Sequence, residues 1–305
     1  DQEPLERIRS QILSSIRQDT EDPSAIANKS LLKNLFPKHP YGRPRSGTAT
    51  SVAAITQKDL IAFTKKRLAR NNLIVGVVGD ITPESLATIL DDVFGTLPAT
   101  AAPWDIPEAE PKSNGRTLVV LRDIPQSSIV FSDKGLKRDH PDFYAAHLMN
   151  YILGGGGFTS RLYSTIREKR GLAYSVYSSL YPLEKAGLLF GGAGTSNAKV
   201  SETLNLLRQE WALMADKGVT EQELTDAKTY QTGSYPLRFG SSRSIASMLV
   251  SIQMDNLGLN YINRRNDLIE GVSIDAVNRI AKTLLRPDRL NFVVVGNPSG
   301  VKNTP

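Results

Sequence analysis

At 305 residues, with 40% apolar and 22% charged residues, the chain has an ordinary globular composition and enough length for two cored domains. Its net charge of +6 is spread along the sequence, with no basic block and no aromatic-interleaved patch, so nucleic-acid binding is not expected. The absence of cysteine excludes disulfides, a thiol nucleophile and cysteine-ligated zinc, and no apolar run is long enough for a membrane span.

In the first half, Leu5, Ile8, Ile12 and Ile16 recur at three- and four-residue spacing, which predicts an amphipathic helix over 3–19. The acidic stretch TEDPS (20–24) ends it, a second helix covers about 25–35, and a turn-rich loop, PKHPYGRPRSGT, follows. Thr56 is placed to cap a helix carrying Leu60, Phe63 and Leu68. The apolar run 73–78, closed by Gly79, reads as a buried strand, and Thr82-Pro83-Glu84 opens a further helix. Residues 98–115 are rich in Pro and Ala and lack periodicity, so they read as a linker between domains at 1–97 and 116–305.

The second half opens with strands at 117–121 and 127–131. A helix over 143–153 then runs into Gly154, Gly155, Gly156 and Gly157, which read either as a helix-to-helix junction needing unusual dihedrals or as a mobile loop; we expect the loop, because holding four glycines rigid is entropically costly. A second helix, capped by Thr159 or Ser160, has Leu162 and Ile166 on its apolar side and ends in Arg167, Lys169 and Arg170, with Gly171 as its terminator. A strand at 172–179 and a return strand at 188–193 flank a turn at 182–187. Helices are predicted at 200–217, after Thr220 (with Glu223 at capping-box spacing), from about 242, and after Ser273 to about 285; a strand at 290–295 ends at Gly296.

The tails of the two halves match. Residues 55–80 overlay 272–297 without a gap, placing Thr56 on Ser273, Leu60 on Val277, Phe63 on Ile280, Leu68 on Leu285, Val77 on Val294 and Gly79 on Gly296. This predicts an internally duplicated α+β fold, two domains each with a mixed sheet and helices on one face. The second copy carries residues 116–219 ahead of the region equivalent to residue 1, so the first domain is expected to be incomplete and the chain shortened at its N-terminus.

Chemical motifs are sparse. The three histidines, His39, His140 and His147, are scattered, and HLMNY at 147–151 has Asn and Tyr where a zinc motif needs Glu and His. The four glycines follow a helix and precede no GK[ST], so they are not a phosphate loop. No Ser/His/Asp set and no carboxylate pair stands out. Arg167 at a helix end and Tyr174 on the next strand are placed to point a cation and a phenol into one space, unless they are simply a solvated helix-end charge and a half-buried strand aromatic.

The strings LFPKHPYGRPRSGT, LIVGVVGDITPE, ILGGGGFTSRLYSTIREKRGLAYSV and FVVVGNP resemble the pitrilysin/insulinase zinc peptidases, particularly the processing-peptidase branch. Members of that family bind zinc through an inverted HxxEH helix and a later glutamate within a string like E-R-x-x-x-x-I-L-x-E-I. Glu6-Arg7 and Ile12-Leu13-Ser14-Ser15-Ile16 fit that string with Ser15 at the ligand position, and a neutral hydroxyl is a poor replacement for a carboxylate. The resemblance therefore implies a clamshell-type fold and a non-catalytic subunit, with no metal in this chain and zinc in an HxxEH-bearing homologous partner. It further implies that Arg167 and Tyr174, seven residues apart, assist catalysis on a peptide or unfolded protein, and that the glycine segment contacts substrate. An active zinc peptidase whose HxxEH lies outside this sequence and a purely structural subunit of a larger complex are the alternatives. A bacterial periplasmic or cytoplasmic location is expected, ahead of a mitochondrial matrix.

Overall fold

The computed structural model describes residues 2–304. In chain order the helices are α1 (Gln2–Asp19), α2 (Pro23–Leu35), α3 (Ala49–Ala54), α4 (Gln57–Arg67), α5 (Pro83–Phe94), α6 (Phe143–Asn150), α7 (Val200–Lys217), α8 (Glu221–Gly233), α9 (Ser242–Met254), α10 (Tyr261–Glu270) and α11 (Ile274–Leu284). The strands are β1 (Thr117–Leu121), β2 (Gln126–Lys134), β3 (Ala173–Leu183), β4 (Ala186–Ser196) and β5 (Asn291–Gly296). They divide between two compact units, one built from residues up to 14, 47–105 and 233–265, the other from 15–46, 106–232 and 266 onward.

The second unit holds one mixed sheet in the order β1-β5-β2-β4-β3, with β1 and β5 parallel and the remaining pairs antiparallel. The α+β class is therefore as expected. Alternation along the strands sends Ile129, Phe131, Phe292 and Val294 to one face, where they join a core with residues of α6, α7 and α11, including the fully buried Trp211. Phe131 meets Trp211 edge-on at 5.5 Å between ring centres. The opposite face carries Val130, Val293 and Val295, which pack against Leu31 and Leu35 of α2. Because both faces are covered, β5 is buried along its whole length.

The predicted hairpin is present but longer than the sequence suggests. β3 and β4 pair up to Leu183 and Ala186, leaving only Glu184 and Lys185 in the turn, so the expected turn at 182–187 shrinks to two residues. Pro182 sits within β3, where the edge position makes its missing N–H tolerable. At the opposite edge the C-terminal residues shield β1: its Thr117 and Val119 N–H groups donate to the side chains of Thr304 and Asn303. β3 has no such cover; among the described residues no strand pairs with its outer side.

Capping explains most helix starts. Asp22 caps α2, Thr56 with Asp59 forms a reciprocal capping box on α4, Thr82 caps α5, Thr220 and Glu223 bond reciprocally at α8, and Ser273 caps α11. The short α3 and α10 are additional to the sequence reading.

The first unit departs from expectation at 73–78 and along α4. The predicted buried strand at 73–78 is extended but pairs with nothing, and Leu73, Ile74, Val75 and Val77 are each more than a third exposed. Gly76 lies against α9, where a Cβ would come within 2.7 Å of the Ala246 carbonyl oxygen, so one face is packed while no strand among the described residues pairs with the segment. A strand forms only where a neighbour supplies partners for its N–H and C=O groups. The duplicated helices diverge for the same reason: Val277, Ile280 and Leu285 are buried, whereas Leu60, Phe63 and Leu68 are 43–54% exposed.

Candidate functional site

The glycine segment is helical rather than the loose loop the sequence suggests. α6 continues into a π-helical turn, Tyr151–Gly155, followed by a 3-10 turn, Gly157–Thr159. Gly154 is buried against β3, where a Cβ would lie 2.4 Å from Ser178 Oγ and 2.6 Å from its backbone nitrogen, so only glycine fits. Asn150 fastens this turn to the strand, donating to the Ser178 carbonyl oxygen at 3.2 Å and accepting from Ser178 Oγ at 2.8 Å. Gly155 and Gly156 pack near Asn150 and Tyr151, while Gly157 has open space around it and adopts a left-handed conformation, φ +59°. The tertiary contact at Gly154 replaces the entropy argument for mobility.

The following helix contains a wide π turn, Tyr163–Glu168, rather than a regular α-helix. Ser160 does not cap it; its hydroxyl donates back to the Gly157 carbonyl oxygen. Leu162 and Ile166 are fully buried, as expected. Its start is tied down by Arg161, which pairs with both oxygens of Glu223 at 2.7 Å and also donates to the Gly218 carbonyl oxygen. Burial pulls the Glu223 carboxyl upward, but the Arg161 and Thr220 hydrogen bonds outweigh it and hold the group below the usual glutamate range. Gly171 ends the helix at φ +58°, as predicted.

Arg167, in the last turn, lies with its guanidinium carbon 5.2 Å from the Tyr174 ring centre, 4.8 Å from that of Tyr163 and 6.0 Å from that of Phe158. Phe158 and Tyr163 also meet edge-on at 4.8 Å. The structure thus brings Arg167 and Tyr174 together and adds two rings that the sequence reading did not single out. Their signal was present in the sequence: Phe158 directly follows the glycines, and Tyr163 precedes Arg167 by four residues, a spacing at which helical side chains meet. Phe158 brings the end of the glycine segment into the same cluster.

Tyr174 reaches this position through a break in the strand. Ala173 pairs with Thr195 and Ser175 with Gly194, which leaves Tyr174 as the extra residue of a β-bulge. Val176 and Ser178 point inward, so unbroken alternation would also send Tyr174 inward; the bulge instead leaves it 81% exposed. No hydrogen bond or ion pair among the described residues uses the Arg167 N–H groups or the Tyr174 hydroxyl. The arrangement offers one phenol and one guanidinium side by side, both free to donate.

Ser15 is an exposed residue of α1. Among the described residues no three His, Asp or Glu side chains are grouped as metal ligands. His39 and His147 have structural partners: the His39 ring accepts from the Tyr41 N–H and lies 3.0 Å from the Pro107 carbonyl oxygen, and His147 bonds Gln231.

Residues 54–230 match the family model described as the peptidase M16 inactive domain. An uncharacterized zinc protease of Mycobacterium leprae is 29% identical over 304 residues, covering 99% of this chain and 68% of that protein. A protein of Helicobacter pylori named as a non-peptidase homolog is 29% identical over 300 residues, covering 97% of this chain and 68% of its own length. The crystal structure of a peptidase M16 inactive domain from Pseudomonas fluorescens superposes with a TM-score of 0.90 at 31% identity, covering 100% of this chain and 73% of that one. The chain belongs to the peptidase M16 family, and residues 54–230 are its inactive-type domain.

Proposed function

We propose that this chain is the metal-free partner of a zinc-bearing M16 homologue and supplies substrate-binding and transition-state groups for peptide hydrolysis. The observation that carries the reading is the bulge that turns Tyr174 outward beside the stacked Arg167, at the start of an edge strand whose outer side pairs with no strand among the described residues. A peptide in extended form adds to such an edge through main-chain hydrogen bonds, which suits substrates of varied sequence. The Tyr174 hydroxyl then donates to the carbonyl oxygen that becomes the tetrahedral oxyanion, and Arg167 holds the phenol in place and donates to a neighbouring substrate carbonyl. One preorganised donor of this kind contributes about 3 to 4 kcal/mol to the transition state. The exposed Phe158, directly after the glycines, offers an apolar contact for a substrate side chain. Zinc, if held by the partner, would supply Lewis-acid polarisation of the scissile carbonyl and an activated water.

Reconstitution with an HxxEH-bearing homologue tests this. Cleavage of an unstructured peptide is expected only from the mixture, and Tyr174→Phe in this chain is expected to lower kcat at least about tenfold with KM little changed. An unchanged kcat makes Tyr174 a surface aromatic and the chain a scaffold.

A further inference from the structure

At the C-terminal half of α2 the sheet is left partly open, and a concavity of about 520 Å³ lies between Lys33 and Asn34 of the helix, the segment 112–116, and β1 and β5. Three cations, Lys33, Lys112 and Arg116, line it, and no carboxylate does. None of the three takes part in an ion pair among the described residues. Like charges gathered around one concavity repel each other, and the arrangement is relieved by an anion.

The framework is fixed. Asn291, only 5% exposed, donates from Nδ2 to the Lys112 carbonyl oxygen at 2.7 Å and accepts at Oδ1 from the N–H groups of Arg116 at 2.9 Å and Asn114 at 3.3 Å. The Lys112 N–H donates to the Leu35 carbonyl oxygen, which ties the same segment to the end of α2. Arg116 is oriented by donating from Nη1 to Asn34 Oδ1 at 3.3 Å, and its Nε–H is shielded from solvent without an acceptor. Beside these donors, Leu118 and Pro37 give the concavity an apolar wall.

We propose that this concavity binds a small organic anion, a phosphate monoester or carboxylate whose charged head meets Arg116, Lys33 and Lys112 while its apolar body lies on Leu118 and Pro37. The site is separate from the Arg167/Tyr174 pair and does not depend on the function proposed for it. Calorimetric titration of the full chain with phenyl phosphate and with benzoate tests the idea, with inorganic phosphate as the head-group control. One-to-one binding is expected, at a millimolar dissociation constant or tighter, weaker for inorganic phosphate and weakened further by added salt. Lys33→Gln and Arg116→Gln are each expected to weaken it at least about fivefold, the loss of one charged hydrogen bond. Lys33 has no hydrogen-bond or ion-pair partner among the described residues, so its variant is expected to leave the fold intact and carries the test even if Arg116→Gln perturbs folding. The stronger of the two probes identifies the head group. Absence of binding by both, or binding that neither variant weakens, overturns the proposal.

Discussion

The guanidinium of Arg167 and the ring of Tyr174 are stacked 5.2 Å apart although they come from different elements, a π-helical turn and a strand bulge. Two irregularities in succession make the contact. The wide turn at Tyr163–Glu168 places Arg167 among Tyr163, Phe158 and Tyr174, and the bulge swings the phenol out of the core side. An exposed cation–π contact contributes about 0.5–1 kcal/mol, too little to hold a fold but enough to bias an exposed side chain toward one direction.

Stacking on three rings needs a planar cation. Arg167→Lys keeps the charge but loses the flat face, so it is expected to shift the Tyr174 ring-proton resonances of the isolated chain and to lower kcat of the reconstituted pair about fivefold or more. Arg167→Ala should do at least as much. Unmoved Tyr174 resonances in both variants would mean that the stack does not order the phenol in solution.

The glycines are not equivalent. Gly154→Ala forces a methyl into Ser178, including its backbone nitrogen, and is expected to destabilise the protein by about 1–3 kcal/mol. Gly157→Ala meets nothing and costs about 1 kcal/mol, from the left-handed backbone alone. Thermal unfolding of the two variants distinguishes a packed turn, where Gly154 is the worse, from a loose loop, where neither matters more.

Buried Asp133 gives a pH signature. Burial pushes its carboxyl up to about 6, against the N–H groups of Lys134 and Arg286 that favour the ionised form. Because the folded protein holds this proton more tightly than the unfolded chain, the group lowers stability as pH rises from about 4 to about 6, by roughly 3 kcal/mol in all. Urea unfolding at pH 4 and pH 7 should show that slope diminished in Asp133→Asn. Glu223 acts in the reverse sense: its depressed carboxyl adds stability above the ordinary glutamate range that is lost as pH falls.

The two copies of the duplicated segment should respond differently to truncation. Ile280→Ala is expected to cost about 2–5 kcal/mol, as for a buried aliphatic side chain, while the aligned Phe63→Ala, at a half-exposed position, should cost under about 1 kcal/mol. Chemical denaturation of both variants checks this; comparable losses would show that Phe63 is covered in solution.

What the sequence determined by itself is local. The side-chain caps Thr56, Thr82, Thr220 and Ser273, the terminator Gly171, the strand β1 and the helix α7 follow from residue types and spacing, because caps and periodicities act within a few positions along the chain. Arg167 and Tyr174 were legible as neighbours from the helix end and the strand after it, but their catalytic role was suggested only by the family resemblance. Tertiary structure alone decided that a bulge opposite Thr195 and Gly194 turns Tyr174 outward, that Ser178 packs onto Gly154, and that Val294 is buried while Val77, its counterpart, is exposed. The physical reason is common to all three. Burial and strand pairing depend on what lies across the gap, and two segments of one pattern part company when only one of them has a sheet to join.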